Sequence, residues 1–361
     1  MNFQYRGTQA QVWRWPRTLA LLSVSLILGG LLTACVNLFS PLAVTNVYVV
    51  GDALSIVQAS DNTVTGEIDT SGVDIAVTPD GSKIYVSNFA RDTVSVIHTA
   101  SNEVTTVIDV GDGPLGLAMS PGGSEMFVAN RNSGSLSVVE IARDEVKETI
   151  DIGIGAKPRD LVVPPDGKFV FVITECCKSR IIKISLATHN IISDTVIHSQ
   201  LSADSIAITG NGSRAYVSVP FNGFIRVVDT SRNTVSATVP LFFAPRNMLV
   251  APSGDRLYVS QTGGDQVAIV QTSNNSVVDT VSVGDKPEGL AITPDGSRLY
   301  VANSGDNTIS VIELSDSVQS SGDPVRAAQV SSTIPVGNNP QAVAAGVLTR
   351  QPNRIIGGGG E

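Results

Sequence analysis

"ITPDGSRLYVAN", Ile292 to Asn303, carries two apolar runs joined through Pro-Asp-Gly. Proline holds φ near about −65° and glycine accepts a positive φ, so the tripeptide turns the chain sharply between two antiparallel strands. The same stretch recurs in five more places: "VTPDGSKIYVSN" from Val77, "MSPGGSEMFVAN" from Met119, "VPPDGKFVFVIT" from Val163, "ITGNGSRAYVSV" from Ile208 and "VAPSGDRLYVSQ" from Val250. The third turn residue is always glycine, at 81, 123, 167, 212, 254 and 296, in steps of 42, 44, 45, 42 and 42 residues.

Each unit has one apolar strand before the turn ("GLAIT") and a second after it ("RLYVAN"). A polar turn ("SGDN"), an alternating third strand ("TISVIE") and a fourth such as "EVTTVI" follow. Four antiparallel strands at a period near 42 are the pattern of a β-propeller blade. The chain enters with "NVYVV", "ALSIVQ" and "TVTGEI", which are strands two to four without a first. It leaves with "NNPQAVAAG", Asn338 to Gly346, a first strand without the rest. Joined, these make blade one. The fold class expected is therefore all-β, a seven-bladed β-propeller of four-stranded antiparallel blades, with the first blade closed by the C-terminal strand. Closure of that kind removes open sheet edges. The blades also carry the motifs "YVSN", "FVAN" and "YVAN", and over Asn46 to Val347 the chain resembles the YVTN-repeat family of seven-bladed propellers. The resemblance implies an exported or surface-layer protein and fixes the fold far more tightly than the activity.

The leader reads differently. Arg6, Arg14 and Arg17 precede the apolar run "TLALLSVSLILGGLL", which ends in "LTAC" at Cys35. A basic stretch, a short apolar core and small residues before a cut site describe an export signal. The Leu-Thr-Ala-Cys ending resembles a bacterial lipobox, which implies cleavage before Cys35 and a lipid thioether on it. An uncleaved signal anchor is the alternative, and both place the body outside the cytoplasmic membrane. Val36 is not aspartate, which by the same resemblance favours the outer membrane in a two-membrane cell. The domains expected are a signal peptide over 1–34, a lipidated tether over 35–45, the propeller over 46–347 and a flexible tail over 348–361.

The formal net charge is −9. The first 34 residues hold 3 of 24 basic residues and none of 33 acidic ones, so the remainder carries 21 against 33, or −12. Such a surface repels nucleic acid. The partners left open are an envelope protein, a glycan or a small ligand, together with a membrane reached through the lipid. No cofactor or metal is expected besides that lipid. No nucleophile elbow, zinc-spaced His/Cys set or phosphate loop occurs; of the three histidines, His98 and His189 map to the face of the Pro-Asp-Gly turns, away from the candidate sites, and only His198 lies in a loop on the opposite face, with no set partner.

Fold analogy puts ligand sites on the face formed by the turns between second and third strands and the loops between blades. Two candidate sites lie there. One is a rim. The second-to-third turn of blade four is "ECCKS", with Cys176 and Cys177; that of blade five is "PFNGF", with Phe221 and Phe224; the loop from blade five to six is "PLFFAP", with Phe242 and Phe243. Four of ten phenylalanines fall in these two loops. They either form a contact surface or fold inward to cap the rim. Adjacent cysteines have Cα atoms about 3.8 Å apart, short of the usual disulfide span of about 4.4–6.8 Å, so the pair is either a strained disulfide or two free thiols. The second candidate is the channel mouth. Asp74, Arg159, Asp160, Asp204, Arg246, Asn247 and Glu288 start the innermost strands. Their mixed charge suits either a polar ligand or a wet channel. The functional expectation is a non-catalytic binding or scaffold module working by this face. The alternative is an extracytoplasmic enzyme, lactonase-, lyase- or quinone-dehydrogenase-like, using the acidic mouth.

Overall fold

The structure, a computed structural model, describes residues 44–153, 155–175, 178–198, 202–314 and 328–348. The leader, Cys35 and the pair Cys176–Cys177 lie outside the described residues. Seven antiparallel sheets of four strands form the ring. Six are consecutive along the chain, from Asp74–Val77 in blade two to Gln329–Pro335 in blade seven. The remaining sheet sets the C-terminal strand Ala342–Leu348 beside Val44–Val50, in register from Val44 opposite Leu348 to Val50 opposite Ala342. The ring is closed by seven residues of strand pairing at its own seam, as the sequence pattern predicts.

The turns behave as their residues demand. Gly296 N donates to Thr293 O at 2.8 Å with Gly296 at φ 73°, and Asp295 Oδ1 accepts from Ser297 N at 3.0 Å. Asp80 repeats this arrangement in blade two, accepting from Thr78 Oγ1 at 2.5 Å and Ser82 N at 3.0 Å. At the other end of the second strand, the repeat asparagine is a buried clamp. Asn130 Nδ2 donates to Ser135 Oγ (3.1 Å) and Ser137 Oγ (2.9 Å), and Asn303 Nδ2 to Thr308 Oγ1 (3.0 Å) and Ser310 Oγ (2.9 Å). An amide hydrogen bond that ties the second strand to the third explains why asparagine ends "FVAN" and "YVAN".

The core is not central. It is divided among the seven gaps between neighbouring blades. Between blades three and four, for example, Phe127, Leu136 and Val138 meet Leu161, Val170 and Ile182. Between blades seven and one, Tyr300, Ile309 and Val311 meet Val47, Val49 and Val57. The second and third strands of a blade are thus buried on both faces: the second strands read as near-continuous apolar runs, and the alternating third strands bury serines such as Ser95, Ser137 and Ser310 as well. Outer fourth strands such as Glu103–Asp109 keep exposed residues along most of their length.

Polar clasps bind blade to blade at the face of the Pro-Asp-Gly turns. Lys83 Nζ reaches Asp144 Oδ2 at 2.7 Å and Ile141 O at 3.0 Å in the next blade, and Tyr85 Oη donates to Asp144 Oδ1 at 2.5 Å. Arg214 does the same job from blade five, donating to Thr272 O at 2.7 Å. The Lys83 and Asp144 side chains are only 15% and 14% exposed, so solvent screens this pair weakly. Asp144→Ala orphans a buried phenol and leaves the Lys83 ammonium with only the Ile141 carbonyl. It is expected to lower unfolding free energy by about 2–4 kcal/mol, seen as a reduced denaturant midpoint at constant slope. The exposed Asp112→Ala control should stay within about 0.5 kcal/mol.

Candidate functional site

The first strands of the blades converge on the axis, and their starts enclose a cavity of about 180 Å³. Its wall takes two residues from every blade. One tier is Val73, Leu115, Arg159, Asp204, Arg246, Glu288 and Gln341; the next is Asp74, Gly116, Asp160, Ser205, Asn247, Gly289 and Ala342. All seven mouth residues named from the sequence stand in this wall. The chain bulges there, with register shifts between Pro114 and Leu117, Pro245 and Met248, and Pro287 and Leu290. Serine hydroxyls from the second strands fill the gap. Ser260 Oγ accepts from Asn247 N at 3.0 Å and donates to Glu288 O at 2.7 Å; Ser218 Oγ accepts from Ser205 N at 2.8 Å and donates to Arg246 O at 3.0 Å.

Charged side chains alternate across five blades, three to seven. Arg131 and Arg159 both bind Glu175, the latter at 2.9 Å; Arg159 also binds Asp204. Asp204 meets Arg246 at 3.1 Å, and Arg246 meets Glu288 at 3.0 Å. The result is a chain of six ions, Arg131–Glu175–Arg159–Asp204–Arg246–Glu288. Arg159 Nε is buried and has no hydrogen-bond partner among the described residues. Burial alone would raise the Glu175 pKa, but the hydrogen bond from Arg131 and the charges of Arg159 and Arg131 outweigh it and hold the carboxyl below its ordinary range. The guanidinium of Arg246 is held charged by Asp204 and Glu288 against the opposing effect of burial.

The second tier holds two aspartates of another kind. Asp74 accepts from Ile75 N at 2.8 Å and, across the blade gap, from Leu117 N at 2.7 Å. Asp160 repeats the geometry with Leu161 N at 2.8 Å and Ile206 N at 2.9 Å. Both keep some surface open to the cavity while sitting deep among protein atoms. Desolvation and the like charge of Asp160 push the Asp74 pKa up to about 7, against the pull of its two backbone donors. Desolvation and the nearby Asp204 raise Asp160 as well, opposed by the Ile206, Ser205 and Leu161 donors. An acid near neutrality in a wall that also carries guanidinium groups can bind a polar ligand by donating or accepting, and can take a proton from water.

The rim phenylalanines are displayed differently. Phe221 is 88% exposed and Phe242 is 98% exposed, on two loops joined by Leu241 N donating to Gly223 O at 2.7 Å. Phe243 lies against Gly264, where any Cβ would meet its ring within 2.3 Å. Phe224 is half-buried, with the Arg226 guanidinium 4.7 Å from its ring centre. The first two rings therefore do not fold inward, whereas Phe224 is half-buried and Phe243, though 41% exposed, lies over the Gly264 turn. Glu175 and Arg131 were missed in the sequence because they occupy turn positions where a charged residue is ordinary. A shared partner, Arg159, appears only once the blades stand side by side. Among the described residues, no group of three or more His, Cys, Asp or Glu side chains is arranged to hold a metal, and no helix is long and apolar enough to cross a membrane.

A family model described as lactonase, 7-bladed beta-propeller, matches residues 51–150 and 145–336. The chain belongs to the seven-bladed propeller lactonase family. Among solved structures, this lactonase-family propeller is similar to the hydrazine synthase of Kuenenia stuttgartiensis. The match has 24% identity and TM-score 0.68, and covers 73% of this chain and 90% of that one. It is also similar to a putative 6-phosphogluconolactonase from Bacteroides fragilis, at 17% identity and TM-score 0.68, covering 85% and 99%. A functionally unknown protein from Desulfotomaculum acetoxidans matches at 16% identity and TM-score 0.69, covering 84% and 99%. At these identities the likeness is one of fold. No curated protein matches the chain.

The raised Asp74 gives a pH test. A carboxyl whose folded pKa lies above its unfolded value near 3.8 adds stability below that value and loses it as pH rises through about 7. Asp74→Asn is therefore expected to gain stability relative to the native chain between pH 4 and pH 8. The relative gain is up to about 4 kcal/mol, read from paired denaturant titrations. A flat difference would show that Asp74 titrates normally.

Proposed function

We propose that this propeller binds a small polyhydroxylated ligand in the channel mouth and holds it without turning it over. The single observation that carries this reading is the two-tier wall, in which every blade contributes and four blades set an alternating chain of fixed charges. Pre-paired ions present donors and acceptors in set directions and are not reorganised when a ligand arrives. Each carboxylate on the wall already accepts from backbone donors or an arginine, and no histidine is among the lining residues. That arrangement favours holding over turnover. The exposed Phe221 and Phe242, farther out on the same face, offer an apolar edge to a larger partner.

The propeller is anchored outside the cytoplasmic membrane through a lipid on Cys35. The Leu-Thr-Ala-Cys sequence supports this reading. Cys35→Ala should move the protein from the membrane to the soluble fraction on cell fractionation; unchanged membrane retention would refute the anchor.

Lactone hydrolysis is the second reading, favoured by the family membership and by Asp74 near neutrality. Asp74 would take a proton from the attacking water while Arg159 or Arg246 stabilises the oxyanion, and the ring would open to a hydroxy acid. D-glucono-1,5-lactone and D-gluconate separate the readings. Calorimetric binding of both without accelerated ring opening supports holding. Hydrolysis that rises with pH through about 7 and is lost in Asp74→Asn supports the enzyme. Arg159→Ala, which cuts the ion chain between Glu175 and Asp204, should weaken binding about tenfold or more in either case.

A further inference from the structure

A second cavity, of about 290 Å³, opens on the mouth face between blades one and two and shares Val73 and Gln341 with the mouth. Two shortened connections make it. Three residues, Gly51 to Ala53, join Val50 to Leu54, where in the next blade six, Asn88 to Thr93, join the equivalent Ser87 to Val94. Three residues, Asp69 to Ser71, also separate Ile68 from Gly72, where five separate Ile108 from Pro114 and Val281 from Pro287. Gly72 lets the short loop dive straight onto its own blade, since a Cβ there would lie 2.2 Å from Val86 Cγ1 and 2.9 Å from Ser87 O.

The missing loop residues have a chemical consequence. In blade three the turn donates Arg131 N to Gly113 O (2.9 Å) and Asn132 N to Asp112 O (3.0 Å) of the preceding loop. In blade seven Ser304 N and Gly305 N donate likewise to Lys286 O and Asp285 O, each at 3.0 Å. The equivalent donors of blade two, Phe89 N and Ala90 N, have no acceptor among the described residues. Beside them, the Arg91 guanidinium makes no ion pair among the described residues. The Phe89 ring is braced against the Gly113 loop at the same wall. Two amide donors and a guanidinium, all without a partner among the described residues, meet an aromatic face in one groove that continues the mouth.

We infer that this groove is a second subsite, taking a carboxylate on an extended, sugar-like ligand whose neighbouring residue occupies the mouth. The inference rests on the mouth reading above. Paired amides and a guanidinium fit the two oxygens of a carboxylate, and an aromatic face suits the apolar side of a sugar ring. Asp52 stands on the opposite wall, so the groove carries no net charge and selects the carboxylate by hydrogen bonding at short range.

Calorimetry on the purified full chain tests this with galacturonate, its α-1,4-linked trimer and neutral maltotriose. The acidic trimer should bind about tenfold or more tighter than the monomer, and maltotriose should show no such gain. Arg91→Ala should remove the gain, as should insertion of Gly-Asp after Ser71 to restore the usual loop length. Both should leave the monomer's affinity unchanged. Equal binding of monomer and trimer, or a gain that survives both variants, overturns the groove. The mouth reading still stands if Arg246→Gln weakens the monomer. Trimer binding that depends on Arg91 with no monomer binding and no effect of Arg246→Gln keeps the groove and refutes the mouth. Failure of all three probes at millimolar concentration overturns both for this ligand class.

Discussion

A four-stranded blade with apolar residues on both faces cannot exist alone. Each sheet here needs a neighbour on either side, and the only finite arrangement that supplies one to every blade is a closed ring. The seven apolar layers between blades express that constraint directly: no residue of the second or third strands is committed to a central core, and each layer draws on two blades. The join between Val44–Val50 and Ala342–Leu348 therefore does more than tidy the termini. Opening it would strip one partner from two apolar layers at once, those of blades one and two and of blades seven and one.

The same constraint creates the mouth. Strands arranged around an axis must crowd at the centre, and the innermost ones are short and bulged where they begin. Their first residues cannot pair fully along the ladder, so serine hydroxyls and aspartates from adjacent blades complete the hydrogen bonding. Side chains at these positions are freed from the apolar code that governs the rest of the blade. That is why variation in charge concentrates there while "RLYVAN" and its counterparts hardly change.

The ring, its blade count and its seam were legible in the sequence because Pro-Asp-Gly and the apolar runs are local signals with a fixed period. The mouth was legible too: taking the residues at the start of each innermost strand, after a loop proline in three blades, placed Asp74, Arg159, Asp160, Asp204, Arg246, Asn247 and Glu288 together without any knowledge of contacts. What the sequence hid was pairing across blade gaps. Glu175 sits in the conspicuous stretch "TECCKSR", yet attention falls on its cysteines, because nothing local shows that Arg131 and Arg159 come from two neighbouring blades to meet it. The four loop phenylalanines looked alike as letters. Structure divides them, since Phe243 lies over the space that Gly264 leaves and Phe224 stacks on Arg226, while Phe221 and Phe242 are almost fully exposed among the described residues. The groove between blades one and two was visible only as missing residues. Comparing loops by composition rather than by length passes over a deletion.

The seam places Val44 directly opposite Leu348. The ends of the ring are thus neighbours, at the pole opposite the cavity. A short peptide could link them, and new ends could be cut at any exposed turn, giving a circular permutant whose blade-one seam becomes covalent rather than latched. By the same geometry, a solid support coupled to either end would leave every mouth in an array pointing outward.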